Sequence, residues 1–290
     1  MGEPQPIFLV GPTAVGKTTV ALELARLLNA EIVSADSMQV YRGMDIGTAK
    51  DKAAHLVDVC DISDPFDVKQ YVTLAQALIS NLKSVIICGG TGLYIRALRQ
   101  GLFEGPGSDE ALRARLEASP AGELFAELQR LDPKAARDID GHNKRRLIRA
   151  LEVFNTTGKS IRDLQSQRPS SDVVFGLNRQ RDDLYRRIEQ RIGEQIAAGW
   201  VEEVRRLMGQ GIEKNRTAMQ AAGYRELVAH IHGELTLPEA LGRIKTRTRQ
   251  LARRQLTWFR REPDLVWIDV ERDEVPNTTA RRILQHIEDV

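Results

Sequence analysis

From Ile7 to Cys88, short apolar runs alternate with stretches of helical spacing. Ile7-Phe8-Leu9-Val10 reads as a strand. Lys17 to Leu28 reads as a helix, with Val20, Leu24, Leu27 and Leu28 recurring on one side, and Glu31 to Ser34 as a short second strand ending on Ala35-Asp36-Ser37. Met38 to Pro65 is rich in Gly, Asp and Lys and keeps neither period. Val68 to Leu82 is amphipathic, with Val72, Ala75, Leu78 and Leu82 on one side. It feeds the run Val85-Ile86-Ile87-Cys88, which stops at Gly89-Gly90-Thr91-Gly92. Alternation of this kind predicts parallel βαβ units, whose ligands bind along the carboxyl edge of the strands, where Asp36 and Thr91 would lie.

Beyond Phe103 the strand pattern stops and helix signals multiply. Glu104-Gly105-Pro106-Gly107-Ser108 is a breaker cluster; helices are expected over Ala111–Ala118, Gly122–Leu131, from Asp132-Pro133, and over Asn143–Thr157, closed by Gly158. Gln167 to Ser171 is a second polar linker. Strand character returns at Val173–Leu177. Helices are then expected over Leu184–Ala198, stopped by Gly199, and over Val201–Met208, Ala218–His232 and Pro238–Arg261, followed by a strand at Leu265–Ile268 and a helix from Thr278. The expected fold is α/β, a P-loop three-layer parallel sheet core with an all-helical insertion. Residues 1–105 would begin the core, 106–170 would form the insertion, and 171–290 would complete the core with a mostly helical segment.

Composition changes this picture little. The chain has 290 residues, 42% of them hydrophobic and 28% charged, with a formal net charge of +2. A nucleic-acid argument must therefore rest on where the charge lies rather than on its total. Cys60 and Cys88 stand in apolar surroundings and belong to no CxxC pair, which reads as buried free thiols in a reducing compartment. No run approaches the length of a membrane span, and no basic start precedes an apolar segment. The expectation is a cytoplasmic protein without a membrane partner. The histidines lack metal-ligand spacing.

Gly11-Pro12-Thr13-Ala14-Val15-Gly16-Lys17-Thr18 matches GxxxxGK[ST] between a strand and a helix. In such a loop, amides and the helix start face a bound anion, Lys17 adds charge, and the Thr18 hydroxyl can reach Mg²⁺. Asp36, at the end of the second strand, could accept a proton or hold a metal ion; it could equally cap the following turn. An ATP-hydrolysing protein should carry a carboxylate after an apolar strand, but Val85–Cys88 ends in Gly-Gly-Thr, where the glycine pair would let a substrate or phosphate approach closely. Two basic clusters remain. Arg243, Lys245, Arg247, Arg249, Arg253, Arg254, Arg260 and Arg261 have no acidic residue among them, so the helix reads as a positive stripe suited to phosphates, with a solvated charged face as the alternative. Lys144-Arg145-Arg146 and Arg149 open another helix, against its dipole, a conflict that an external anion or carboxylates from elsewhere in the fold would relieve.

With these residues the chain resembles the tRNA dimethylallyltransferases. The likeness runs through Gly11–Thr18, the stretch Asp36-Ser37-Met38-Gln39-Val40-Tyr41-Arg42-Gly43-Met44-Asp45-Ile46-Gly47-Thr48-Ala49-Lys50, Gly89–Tyr94, Arg146–Val153, Gly223-Tyr224 and Thr248–Arg260. The resemblance implies transfer of a dimethylallyl group from dimethylallyl diphosphate to N6 of the adenine 3′ of the anticodon. The loop residues Gly11, Pro12, Thr13, Ala14, Val15, Gly16, Lys17 and Thr18 would hold the diphosphate, Thr18 with Mg²⁺. Asp36 would be the general base and Thr91 would position the amine. Asp36, Ser37, Met38, Gln39, Arg113, Arg145, Arg146 and Arg149 fall where the family contacts tRNA, and Arg249 and Arg253 are added from the basic helix. The tRNA anticodon stem-loop is the expected partner, of a monomeric enzyme.

The chain departs from the family pattern at Asp51–Asp58, which is short and has one histidine, and at Gln220, where some members carry arginine; Arg249 or Arg253 could replace that clamp. Rival readings are a P-loop small-molecule kinase with the insertion as lid, a prenyltransferase acting on free AMP or ADP, and a nucleotide-switched RNA-binding protein.

Overall fold

The computed structural model describes residues 5–102, 105, 109–164, 172–262 and 264–289. Except for Gly105, the breaker cluster Glu104–Ser108 lies outside the described residues, as does the linker Gln167–Ser171. Contacts divide the chain into two compact units, Met1–Arg99 with Ser171–Val290, and Gln100–Ser170.

The first unit is built on a parallel sheet of β1 (Ile7–Val10), β2 (Glu31–Ala35), β3 (Val85–Gly89), β4 (Val174–Asn178) and β5 (Leu265–Asp269), in the order β2-β3-β1-β4-β5. Leu9 pairs with Cys88 on one side and Phe175 on the other. Every residue of β3 is buried. Because successive side chains point to opposite faces, that strand must be covered on both, which is why it reads as a continuous apolar run. Helix α1 (Lys17–Leu28) packs beneath the sheet beside α13 (Pro276–Glu288). The core is continuous from Leu9, Leu24 and Ile86 through Phe175 to Trp200, Tyr224 and Ile244. The α/β class and the parallel sheet follow the expectation from the chain's pattern.

Between β2 and β3 runs α2 (Val68–Ile79), begun by a reciprocal cap of Asp67 and Gln70. It stops before the expected Leu82, because Ser80 and Asn81 both turn their side chains onto the Ala77 carbonyl. The segment between β2 and α2 has no helix or strand, only bridges of Val33 with His55 and of Tyr41 with Cys60. It is locked instead by Lys50, whose buried ammonium meets the Tyr41 carbonyl, Asp45 and Asp58. Helix α3 (Gly92–Gln100) follows β3 directly and was absent from the expected elements.

The second unit holds α4 (Glu110–Ala118), α5 (Ala121–Leu131), α6 (Pro133–Ala136), α7 (Lys144–Thr157) and α8 (Ile161–Leu164). Its own core joins Leu116, Leu124, Leu128, Leu147, Ile148 and Leu151. Asp132 and Asn143 cap α6 and α7, and Gly158, at φ +66°, ends α7.

In the second half of the first unit come α9 (Arg181–Ala197), α10 (Trp200–Gly209), α11 (Tyr224–Ile231) and α12 (Leu237–Phe259). One continuous helix over Ala218–His232 is not observed: a 3₁₀ turn at Ala218–Gln220 precedes α11, and Gly223 breaks the run at φ +100°. A Cβ on Gly223 would stand 2.1 Å from the Trp200 ring, so packing, and not helical period, sets the break.

Candidate active site at the carboxyl edge of the sheet

The phosphate loop leaves β1 with Gly11 at φ +147°, where a Cβ would lie 2.7 Å from the Leu177 carbonyl of β4. It enters α1 through Gly16 at φ +112°, with Ala14 also left-handed at +64°. Three guanidinium groups tie it down. Arg179 donates to the Val15 carbonyl at 2.8 Å, Arg187 to the Ala14 carbonyl at 2.9 Å and Arg191 to the Thr13 hydroxyl at 3.2 Å. Arg187 and Arg191 lie one turn apart on α9, and burial pulls both below the ordinary arginine range. With its outward carbonyls held in this way, the loop is left with concentrated positive charge. Lys17 donates to the Pro12 carbonyl at 2.8 Å. Burial lowers it to about 8; Cys88 and Asp36 act in the other direction. Thr18 is exposed at the head of α1.

At the neighbouring strand ends, one Asp36 oxygen accepts the Met38 amide at 2.9 Å, so the capping role foreseen for Asp36 is present. The other carboxylate oxygen remains for chemistry, so capping and proton acceptance do not exclude each other. Thr91 accepts the Ser37 amide at 3.0 Å and donates toward the Ser37 hydroxyl at 3.3 Å, while its own amide bonds the Ala35 carbonyl. Asp36 and Thr91 are thus brought together through Ser37. Gln39 is taken up internally, accepting from Ser34 and donating to the Thr48 carbonyl.

These groups open on a cavity of about 330 Å³. Thr13, Asp36, Thr91, Arg191, Arg254 and Gln255 give it a polar end; Met38, Ile188, Ile192, Trp200, Ala221 and Leu251 give it an apolar wall. Gln220 lines it too. A second groove of about 530 Å³ runs along α12 past Arg243, Thr246, Arg247 and Gln250, and shares Arg254 with the cavity. Among the described residues, no group of three or more His, Cys, Asp or Glu is placed to hold a metal ion. Cys60 and Cys88 are buried free thiols, and no described helix is long and apolar enough to cross a membrane.

Several foreseen site residues are placed differently from the expectation. Arg249 pairs with Glu189 and lies over the Tyr185 ring, and Arg253 lines a separate hollow with Arg181 and Arg260, so neither lines the cavity in place of an arginine at Gln220. The basic helix meets acids from other helices: Lys245 shares Glu189, and Arg247 meets Glu226 at 2.8 Å. In the second unit, Arg113 and Arg149 both reach the buried Glu152, at 3.1 and 3.5 Å, and Lys144 donates to the Glu117 carbonyl. Lys144, at the start of α7, thus finds an acceptor within that unit. Arg145 and Arg146 are exposed. Gly89, Gly90 and Gly92, at the end of β3 and after it, are required by packing, and Gly90 also lines the cavity. A Cβ on Gly89 would lie 2.2 Å from the Ala35 carbonyl oxygen, on Gly90 2.3 Å from the Gln255 amide and on Gly92 2.2 Å from the Trp258 ring nitrogen.

Arg191 and the apolar wall were not foreseen, whereas Arg254, expected on the basic stripe, lines the cavity together with its neighbour Gln255. The only signal available was the i, i+4 recurrence of Arg187 and Arg191 beside Ile188 and Ile192, on a helix already read as ordinary.

A family model described as IPP transferase matches residues 39–262, and one described as isopentenyl transferase matches residues 5–61. The chain is 43% identical to tRNA dimethylallyltransferase 2 of Syntrophus aciditrophicus, over 98% of this chain and 97% of that protein. It is 44% identical to a tRNA dimethylallyltransferase of Thermomicrobium roseum, over 93% and 88%. The crystal structure of the full-length tRNA isopentenylpyrophosphate transferase of Bacillus halodurans matches with a TM-score of 0.74 and 37% identity, covering 99% of this chain and 98% of that one. A eukaryotic dimethylallyltransferase acting on tRNA shares the fold, with a TM-score of 0.85, 23% identity and coverage of 99% and 79%. A match of this extent, over a phosphate loop set beside Asp36 and Thr91, means that the chain belongs to the IPP transferase family, the tRNA dimethylallyltransferases.

Proposed function

We propose that this chain transfers a dimethylallyl group from dimethylallyl diphosphate to N6 of the adenine 3′ of the anticodon in tRNA, releasing diphosphate. The observation that carries the reading is the composition of the cavity at the sheet edge: phosphate loop and arginines at one end, Asp36 and Thr91 beside them, and an apolar wall of Ile188, Ile192, Leu251 and Trp200. A short prenyl chain has somewhere to lie, and its diphosphate and the amine have distinct places.

In the reaction, the C1–O bond of the donor breaks with its electron pair leaving on the diphosphate, and the N6–C1 bond forms. Loop amides, Lys17, Arg191 and Arg254 neutralise the departing charge. Asp36 takes the N6 proton as positive charge develops on nitrogen, and the Thr91 hydroxyl, oriented by Ser37, accepts or donates at the amine. Mg²⁺ would supply further charge neutralisation on the diphosphate oxygens. The Thr18 hydroxyl, exposed at the head of α1, is the side chain that would hold that ion. The adenine must leave its stack to reach Asp36, at a cost of a few kcal/mol. Phosphate contacts along the α12 groove, and at Arg145 and Arg146 on the second unit, would offset that cost.

The test is incorporation of labelled dimethylallyl group into a tRNA with adenine 3′ of its anticodon. Wild type is expected to transfer; Asp36→Ala is expected to lose transfer by about 10²-fold or more while still binding diphosphate. ATP consumption without tRNA would favour the kinase reading, and undiminished transfer by Asp36→Ala would remove Asp36 as base.

A further inference from the structure

One side chain of α12 touches both reacting ends of the cavity. The Gln255 carbonyl accepts the Thr13 amide of the phosphate loop at 2.8 Å, and its amide group donates to the Gly90 carbonyl at 3.0 Å. The orientation of the amide is settled by its partners, since a backbone N–H only donates and a carbonyl only accepts. Gly90 leaves the room: a Cβ there would meet the Gln255 nitrogen at 2.3 Å. One turn on, the Trp258 ring sits on Gly92 in the same way, with the Arg96 guanidinium 4.7 Å from its centre. Thr91 is thus flanked by two glycines, each seating a side chain of one helix. The same helix presents Thr248, Leu251 and Arg254 to the cavity, and Arg243, Arg247 and Gln250 to the basic groove.

We propose that Gln255 is a positioning residue: its single amide holds the phosphate loop and the Thr91 turn in register, setting the spacing between the leaving group and the accepting amine. The reading rests on the proposed transfer reaction, but the chemistry of the amide makes it separately testable. Asparagine is one methylene too short to bridge both groups. Leucine satisfies neither. A carboxylate still accepts from Thr13 yet faces the Gly90 carbonyl with no proton to give; once protonated, it can bridge both as the amide does.

Wild type, Gln255→Leu and Gln255→Glu should be compared in steady-state prenylation of tRNA from pH 5 to 8. At pH 8 both variants are expected to lose about tenfold or more in kcat, with KM for tRNA within about twofold of wild type. As the pH falls, the ratio of Gln255→Glu to wild-type kcat should rise, while the ratio for Gln255→Leu stays flat. A general loss of packing would give no such pH-dependent recovery. Wild-type kcat retained by both variants, a loss confined to KM, or parallel pH ratios for the two would overturn the positioning role. If wild type itself transfers no prenyl group, the functional reading fails instead. A measurement that needs no variant is hydrogen exchange of the Thr13 amide in the wild-type chain, where slow exchange is expected and fast exchange overturns the bridge.

Discussion

Glu203 offers the sharpest test of how the stretch Asp45–Thr48 is held against the cavity. Its side chain, in a residue 2% exposed, accepts three successive backbone amides, Asp45 at 2.9, Ile46 at 2.6 and Gly47 at 3.2 Å, and the Tyr224 hydroxyl at 2.7 Å. Burial and the adjacent carboxylate hold the Tyr224 phenol well above its ordinary range, so it donates at every working pH. Gln195 takes the opposite edge of the turn, donating to the Ile46 and Gly47 carbonyls. Glu203→Ala orphans four donors. Each costs about 1–3 kcal/mol if dry, and water entering the vacated volume recovers part, so the net loss should be about 3–5 kcal/mol. That is a large share of a typical total stability of about 5–15 kcal/mol. Glu203→Gln keeps one acceptor but turns an NH₂ toward a row of N–H groups, for about 2–3 kcal/mol. Tyr224→Phe removes one donor and leaves the carboxylate three, for about 1–2 kcal/mol. Urea unfolding followed by tryptophan fluorescence is the suitable assay, because Trp200, Trp258 and Trp267 all lie in the first unit. The expected order of loss is Tyr224→Phe, then Glu203→Gln, then Glu203→Ala. Equal losses for Tyr224→Phe and Glu203→Ala, or a Glu203→Ala loss under about 1 kcal/mol, would show that the carboxylate does not organise the turn.

Three further outcomes follow from the geometry. Lys17, lowered by burial from 10.5 to about 8, is charged in the empty loop only below that pH, and a bound diphosphate restores its charge. Affinity for inorganic diphosphate should therefore fall as pH rises above about 8, with proton uptake visible by calorimetry in buffers of different ionisation enthalpy. Lys17→Arg should abolish that uptake, and an unchanged uptake would refute the assignment. The same shift makes the unfolded chain bind more protons between pH 8 and 10.5, so Lys17's contribution to stability rises with pH across that window. Gly92→Ala would drive a Cβ to 2.2 Å from the Trp258 ring nitrogen; a loss of about 1–3 kcal/mol in urea unfolding is expected, and an unaltered midpoint would count against the docking of α12 on that turn. Replacing the exposed Arg145 and Arg146 by alanine should reduce the slope of log affinity for tRNA against log salt by about 1–2, measured by filter binding; an unchanged slope would remove them from the phosphate contacts.

The elements that could be read from the chain are those whose cause is local. β1, α1 and β3 follow from short-range period and from the GxxxxGK[ST] spacing, and the caps at Asp132 and Asn143 lie within three residues of the amides they accept. Asp36 and Thr91 could be placed at one edge because parallel crossovers return each strand end to it. What could not be read depends on a partner far along the chain. Gly223 interrupts an otherwise apolar helical pattern because the Trp200 ring occupies its space, and no window around Gly223 contains that ring. The stripe from Arg243 to Arg261 looked unpaired because Glu189 and Glu226 lie on other helices.

The arginines behind the phosphate loop show most clearly why a run of basic residues is a poor guide to the clamp. The departure at Gln220 directs attention to cations of the basic helix, Arg249 and Arg253. Arg191 instead comes from a helix whose register is set by burying Ile188 and Ile192, and that same turn carries its guanidinium to Thr13. A loop that concentrates anion-binding amides must dispose of its carbonyls, and here Arg179 and Arg187 take them from the outer side. A phosphate loop therefore implies donors behind it as firmly as it implies an anion before it. That requirement identifies α9 as part of the site before any ligand is considered.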